Sequence, residues 1–418
     1  MTPLRQRSAP GGQTPAGPRG VLGVLCLTQI VGWGVLYYSF PVALPAITTD
    51  TGWPATSTLV AFSAALVVAA GAGVAVGRVI DRHGPRWVMT GGSVLATGAV
   101  VVIAWAPNLG WFVTGWVIAG LAQSMVLYAP AFTAITRWYG PARNRALLTV
   151  TLVAGLASTI FAPVTAALLE QSGWRHTYLV LAAALALTTI PAHALGLRAP
   201  WPPHRHSRDQ GDRSGQGPRA IARSRAFVAL TVATSLGAFA MFAATIHLIP
   251  MLTWRGLSAT AAAWALGLSG AGQLAGRLAY APLARGTTPV SRAVAILALA
   301  GAGVAAVGLL PGPGLVLVGA AIGLGVVRGA YTLLQSTVIS DRWGTEGFGA
   351  LYGILNAPAT LAMALAPWVA GVLTDATGSY PVTFAILAGA AGLAAVVATR
   401  TAPRRTPELH LHPWGRGE

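Results

Sequence analysis

The chain has no lysine and one cysteine, and only ten of its 418 residues are acidic. A lone Cys26 excludes an internal disulfide and any cysteine-rich metal site. Cys26 lies in an apolar run and reads as inert packing. Charged residues make up 9% of the sequence, against roughly a quarter in soluble globular chains. Hydrophobic residues reach 54% and the mean hydropathy is +0.63. One soluble core cannot hide that much apolar surface behind so little charge, so the solvent for much of the chain is lipid. No H-E-x-x-H pair, Ser–His arrangement or metal-ligand spacing occurs. That speaks against a membrane-embedded enzyme, and it predicts neither a cofactor nor a metal. No large soluble domain separates the apolar stretches, which counts against a non-transporting sensor.

What the sequence does hold is arginine, giving a net charge of +17. In a soluble protein such a surplus points to nucleic acid, so the positions of the arginines decide its meaning. A membrane-crossing helix needs about 20 mostly apolar residues. Twelve such stretches are legible, at 20–43, 55–77, 87–105, 110–136, 146–169, 177–197, 226–251, 259–280, 292–310, 314–339, 348–373 and 380–399. The links Ala106–Leu109 and Pro311–Pro313 are short, so neighbouring helices must run antiparallel. Residues 198–225 are polar, basic and rich in Pro and Gly, and read as a flexible linker. The expected organisation is a 1–19 tail without a cleavable signal pattern, a 20–197 six-helix bundle, the 198–225 linker, a 226–399 six-helix bundle and a 400–418 tail.

With the N-terminus inside, 24 of the 27 arginines fall in cytoplasmic segments. Arg175 and Arg255 fall outside, and Arg328 lies within a span. The positive-inside rule then predicts that both termini and the linker are cytoplasmic. Because the charge is spread over every inner loop, nucleic-acid binding loses its support.

The two halves repeat at an offset near 204. Ala162-Pro163 matches Ala366-Pro367, and Gly120-Leu121…Tyr128 matches Gly323-Leu324…Tyr331. Ile135…Arg137-Trp138 matches Ile339…Arg342-Trp343, and Pro45 matches Pro250. The second spans agree as well: Gly71-x-Gly73-x-x-x-Gly77-Arg78 against Gly270-x-Gly272-x-x-x-Gly276-Arg277. Recurring small residues allow close helix contact in lipid. Two six-helix bundles related by a pseudo-twofold axis along the membrane normal describe a transporter with a central site.

Between spans two and three the chain reads Gly77-Arg78-Val79-Ile80-Asp81-Arg82-His83-Gly84-Pro85-Arg86. Its glycines permit a tight turn, and Asp81 can meet a helix N-terminus or an arginine while Arg82 and Arg86 stay at the interface. A second reading is a positive-inside loop with one solvated Asp. This stretch resembles the G-x-x-x-D-R-x-G-R-[RK] signature of the major facilitator superfamily, departing from it at Pro85. The resemblance covers the spans, linker and duplication, and implies an all-α membrane fold of twelve helices in two bundles. It also implies that Asp81 latches the bundles on the cytoplasmic side, near Gly347, with Arg137 as a partner. Tyr280 stands where the second half would carry that Asp, which confines the latch to the first half. Gly32-Trp33-Gly34…Tyr37-Tyr38-Ser39-Phe40-Pro41, Asp50-Thr51-Gly52-Trp53-Pro54, Arg137-Trp138-Tyr139-Gly140…Arg143-Asn144-Arg145-Ala146 and Gly173-Trp174-Arg175 resemble the monocarboxylate and oxalate–formate branch.

Arg328 carries the most information. A cation deep in a span costs at least ~2.5–3.5 kcal/mol on insertion scales, so it should face a cavity or a partner. No Asp or Glu lies deep in any span. Two readings stand: an anionic substrate gripped bidentately by the guanidinium, or an arginine held by backbone carbonyls and water. Tyr331 and Gln335 share its helix face at i+3 and i+7, and the repeat sets Tyr128 opposite Tyr331. Gln29, Trp33 and Tyr37 form a polar-aromatic stripe on span one. His247 on span seven and Asn356 on span eleven complete the candidates, each also explicable as packing. The resemblance leads one to expect a binding arginine in span eight, where the sequence offers only Arg277, read as lying at the cytoplasmic end, and Gln273.

The expected protein is thus a multi-pass, monomeric carrier of the bacterial inner membrane, surrounded by bilayer and working by alternating access on a small organic anion such as a monocarboxylate. A coupling proton would have no intramembrane carboxylate, leaving His247 to titrate. The competing reading is an exporter of a drug or secondary metabolite, although span five lacks G-P-x-x-G-G.

Overall fold

The computed structural model describes residues 17–18, 20–201, 218–343 and 348–402. Most of the linker, Gly347 and the arginines at 5, 7, 19, 404, 405 and 416 lie outside the described residues. Those residues form helices and turns, with no strand among them. Ten helices are long and apolar enough to cross a membrane. One of these, Arg145–Gly196, is two crossings, because Gly173 breaks it with φ 72° and ψ 172°. Ala259–Gly286 is the further crossing; glycine, Gln273 and Arg277 hold its apolarity down.

The helices are α1 (Val21–Thr51), α2 (Ala55–His83), α3 (Pro85–Ala104), α4 (Leu109–Tyr139), α5 (143–172), α6 (174–196), α7 (225–254), α8 (Ala259–Gly286), α9 (Pro289–Leu309), α10 (Gly314–Thr337), α11 (Phe348–Thr377) and α12 (Tyr380–Ala398). The starts of α4, α7, α8, α9 and α12 are set by side chains that accept from orphan backbone N–H groups. Asn108 accepts from Trp111 N at 3.1 Å, and Ser224 and Ser258 accept from Phe227 N and Ala261 N at 3.2 Å. Thr288 and Ser291 cap one another around Pro289. At about 1.5 Å per residue, α2 and α11 exceed the ~30 Å hydrocarbon core and project beyond it.

Buried apolar side chains gather by half. One cluster draws almost entirely on residues 227–398, and a second on residues 31–185 with Ile246. A third closes the arginine-rich end of the first half around Leu25, Ile135 and Trp138. Between the halves, α2 packs on α11 and α5 on α8. Thr56 of α2 bonds the Asp375 carboxylate of α11, and Thr260 of α8 bonds Glu170 of α5. Ser63 Oγ accepts from Trp368 N at 3.2 Å. All three ties stand toward the arginine-poor end. Deeper in, Thr159 donates to the Gly267 carbonyl at 2.9 Å.

Several helices are interrupted halfway. α1 passes through a π-helical segment, Gly34–Tyr38, a form frequent at functional sites. The Leu36 carbonyl there accepts from Gln123 Nε2 at 3.0 Å. α4 breaks at Leu127 (φ −83°, ψ −153°), and Gln29 Nε2 takes up the neighbouring Val126 carbonyl at 2.7 Å. α7 breaks at His247. Irregular backbone at membrane depth persists only where other groups satisfy it or where it lines an interior site.

Candidate functional site

Arg328 lies midway along α10 and is 8% exposed. Its Nη1 donates to Thr245 Oγ1 of α7 at 3.1 Å, and its guanidinium lies 4.8 Å over the Phe242 ring. Among the described residues no carboxylate pairs with it. Its electrostatic neighbours are the hydroxyls of Tyr37, Tyr38 and Tyr128, so the first half surrounds an arginine supplied by the second.

Aromatic rings build the facing wall. Trp33 meets Tyr37 at 5.4 Å and Tyr128 at 4.9 Å between centroids, and Tyr128 stacks on Phe132 at 4.9 Å. Tyr37 reaches across to Phe242 at 6.2 Å, joining α1 to α7. Trp33 Nε1, the Tyr37 hydroxyl and Gln29 Oε1 are buried without a hydrogen-bond partner. Buried polar groups are nearly always satisfied, so this wall offers unused donors and acceptors to a polar cargo.

The other sequence candidates are placed differently. The Tyr331 hydroxyl donates to the Thr234 carbonyl, turning that side chain into the packing of α10 on α7. Gln335 lies two turns below Arg328, with Nε2 unpartnered. His247 Nε2 bonds the Pro367 carbonyl at 3.0 Å and its ring leans on Tyr380, so it braces α7 against α11 and α12. Asn356 bonds Thr360 on its own helix at 3.3 Å.

Sequence reasoning set Arg277 at the cytoplasmic end of span eight and left it out of the site. Because α8 continues to Gly286, Arg277 is more than two turns inside its helix rather than at the end, and is only 6% exposed. Its Nη1 donates to the Thr151 carbonyl of α5 at 2.5 Å, and Nε is unpartnered. Tyr128 interacts electrostatically with both Arg277 and Arg328. The internal repeat misleads here, since Arg78, the counterpart of Arg277, is exposed. The low apolarity of α8 is the signal that points to it.

At the arginine-rich end, Asp81 is tied within its own bundle. Arg137 Nη1 donates to the Asp81 carbonyl at 3.0 Å, and the two side chains approach to 3.9 Å. Trp201 Nε1 also donates to that carbonyl at 3.2 Å, while Arg137 lies 4.8 Å over the Trp201 ring. Gly84 turns the loop with φ 81°, directly against Trp201. Arg86 Nε donates to the Ala194 carbonyl at 2.8 Å, Arg82 is exposed, and a Cβ on Gly77 would meet only open space. The second half holds a parallel tie, Arg292 to Asp341. Beside it, burial lowers the Arg342 pKa to about 10, partly offset by Asp341. Arg342 donates to the Pro289 carbonyl at 2.8 Å and to Thr401 Oγ1 at 3.1 Å, anchoring the chain after α12.

Residues 25–324 and 234–413 each match the family described as Major Facilitator Superfamily. Human monocarboxylate transporter 11 is 31% identical over 316 residues, which cover 72% of this chain and 66% of that protein. The mouse protein of the same name is 29% identical over 361 residues, covering 84% and 80%. A multidrug efflux pump, Tap, of Mycobacterium tuberculosis is 28% identical over 416 residues, covering 95% and 96%. Among solved structures, a bacterial homologue of the human lysosomal transporter Spinster, inward-facing and unoccupied, superposes with a TM-score of 0.67 at 15% identity. That match covers 91% of this chain and 95% of the other, a likeness of fold.

Proposed function

The chain belongs to the major facilitator superfamily, and from that premise we propose that it carries a small organic anion of the monocarboxylate kind by alternating access. One observation carries the choice of cargo: Arg328 is buried between the bundles against hydroxyls and an aromatic face, with no carboxylate paired to it among the described residues. Arginine presents a planar fork that matches a carboxylate, and the open polar groups of Trp33 and Tyr37 stand beside it. The relatives named as monocarboxylate transporters support this reading. In the proposed cycle the cargo enters the central site and the bundles rock about it. The ties at Thr56, Ser63 and Thr260 would break on one side as the Asp81 loop closes on the other.

The proposal places both termini and the linker in the cytoplasm, on the arginine count, with the chain working as a single copy in a bacterial inner membrane. A coupling proton would fall to His247. A second reading, export of a larger drug-like or secondary-metabolite cargo, is favoured by the aromatic wall of Trp33, Tyr37, Tyr128 and Phe132 and by the efflux-pump relative.

The test is uptake of a radiolabelled carboxylate panel into proteoliposomes containing wild type or Arg328→Gln. Saturable uptake that the substitution removes supports the reading. If no carboxylate moves, or the variant matches wild type, the anion reading fails.

A further inference from the structure

We propose that the half-helix Tyr128–Tyr139 is a lever that couples the central site to the seating of the linker and of the N-terminal segment on the first bundle. This rests on the central site as the place where cargo binds, and not on the cargo being an anion.

The half-helix is set apart from its chain at both ends. At its start, Leu127 leaves helical geometry with φ −83° and ψ −153°. Pro130 has no N–H for the Val126 carbonyl, which goes to Gln29 of α1 instead. At its far end Gly140 turns the chain with φ 46° and ψ −113°, a conformation open to glycine. Twelve residues between two breaks make a rod of roughly 18 Å that can tilt without bending the first half of α4 or α5.

One end of the rod stands in the central site. Tyr128 lies 4.9 Å from Trp33 between ring centroids, and it is an electrostatic neighbour of Arg328. The other end seats three separate stretches of chain on three consecutive residues. Arg137 donates to the Asp81 carbonyl of the loop between α2 and α3 at 3.0 Å. Trp138 Nε1 donates to the Pro200 carbonyl at the start of the linker at 3.0 Å. The Tyr139 hydroxyl donates to the Pro18 carbonyl of the N-terminal segment at 3.2 Å. The Trp201 ring closes the dock, 5.4 Å from Trp138 and nearly perpendicular to it, and a Cβ on Gly17 would overlap the Tyr139 ring.

Between its ends the rod is packed along one face. Tyr128, Phe132, Ile135 and Tyr139 recur at helical spacing and join, with Ala199 and Trp201, a single apolar cluster. Close-packed side chains transmit a displacement instead of absorbing it. Cargo that moves Tyr128 therefore moves Trp138 and Tyr139, and with them the hold on Pro200 and Pro18. Coupling of this kind is reciprocal, so the seating of the linker acts back on the central site. The linker is by this route a regulator of the site as well as the connection between the bundles.

The test uses the detergent-purified full chain in a Cys26→Ser background, with Ala199→Cys, half-buried at the dock, as the reporter. Tyr128→Ala should raise labelling of that cysteine by a water-soluble maleimide severalfold. Tyr128→Leu, which keeps apolar bulk in the cluster, should be intermediate. Phe242→Ala, a truncation at the same site on α7, should leave the labelling as it was. Addition of a carboxylate that the chain carries should change it as well. An equal rise in the Phe242 variant would show general loosening, and no rise in either Tyr128 variant would show that the rod carries no signal; both outcomes overturn the lever. Labelling that ignores a carried carboxylate overturns it too. The substitutions need no cargo, so the lever is decided by them even where no carboxylate moves and the anion reading falls.

Discussion

Thr56 and Asp375, 319 positions apart, are bonded across the two bundles at the arginine-poor end. A tie this exposed is worth at most about 1 kcal/mol, a shift on the order of fivefold in a two-state equilibrium. Combining Thr56→Val with Asp375→Asn should therefore favour opening at that end severalfold. Leu59, buried against Gly371, reports the change. In a Cys26→Ser background, Leu59→Cys should react faster with a water-soluble maleimide when the tie is removed. Unchanged labelling would show that the tie does not hold the bundles.

Replacing Arg328 with lysine keeps the charge and loses the fork. Uptake of a carboxylate should fall by roughly ten- to a hundredfold, the worth of one charge-assisted hydrogen bond. Membrane abundance should be unaffected. Lysine that restores wild-type uptake would mean that Arg328 acts as a bulk charge and does not grip the cargo.

Asp81 is more than a third exposed and is already tied to Arg137, so its removal should cost little stability. Asp81→Asn is expected to lower uptake severalfold with normal insertion if, as the resemblance implies, Asp81 latches onto α11 when that end closes. Wild-type rates in the variant rule the latch out.

Gln29 covers the carbonyl that the break in α4 exposes. Gln29→Ala should leave that carbonyl unpartnered and cost about 1–3 kcal/mol, read as a lower melting temperature in detergent. A variant as stable as wild type would show that the break satisfies itself.

Gly276 allows α8 to touch the Val326 backbone. Gly276→Leu should force the helices apart, costing upward of about 1–3 kcal/mol. Little folded carrier should then be recovered by size-exclusion chromatography. Normal recovery would mean that the contact can yield.

The twelve spans, the duplication and the importance of Arg328 are legible in the sequence because they rest on apolar length, repeated small residues and a cation where cations are costly. Side-chain direction is a different matter. Tyr331 shares a helix face with Arg328 by spacing, yet a carbonyl on α7 claims its hydroxyl. Arg277 looks terminal because its neighbours are weakly apolar, whereas the helix runs nine residues further. The break at Leu127 has a local cause in Pro130, which has no N–H for the Val126 carbonyl, but the group that takes up that carbonyl, Gln29, stands 97 positions away. Such features are settled by tertiary partners rather than by local pattern.

The π segment of α1 has a geometric consequence for Gln29, Trp33 and Tyr37. In an ordinary helix every fourth residue drifts sideways by about 40°, so three residues spaced by four spiral away from one another. Tyr37 lies within Gly34–Tyr38, whose i→i+5 bonding takes more residues per turn. The wider turn offsets the drift from Trp33 to Tyr37, and the two rings meet edge to face at 5.4 Å between centroids. Gln29, one ordinary turn earlier, keeps its sideways offset and reaches the Val126 carbonyl of α4 instead.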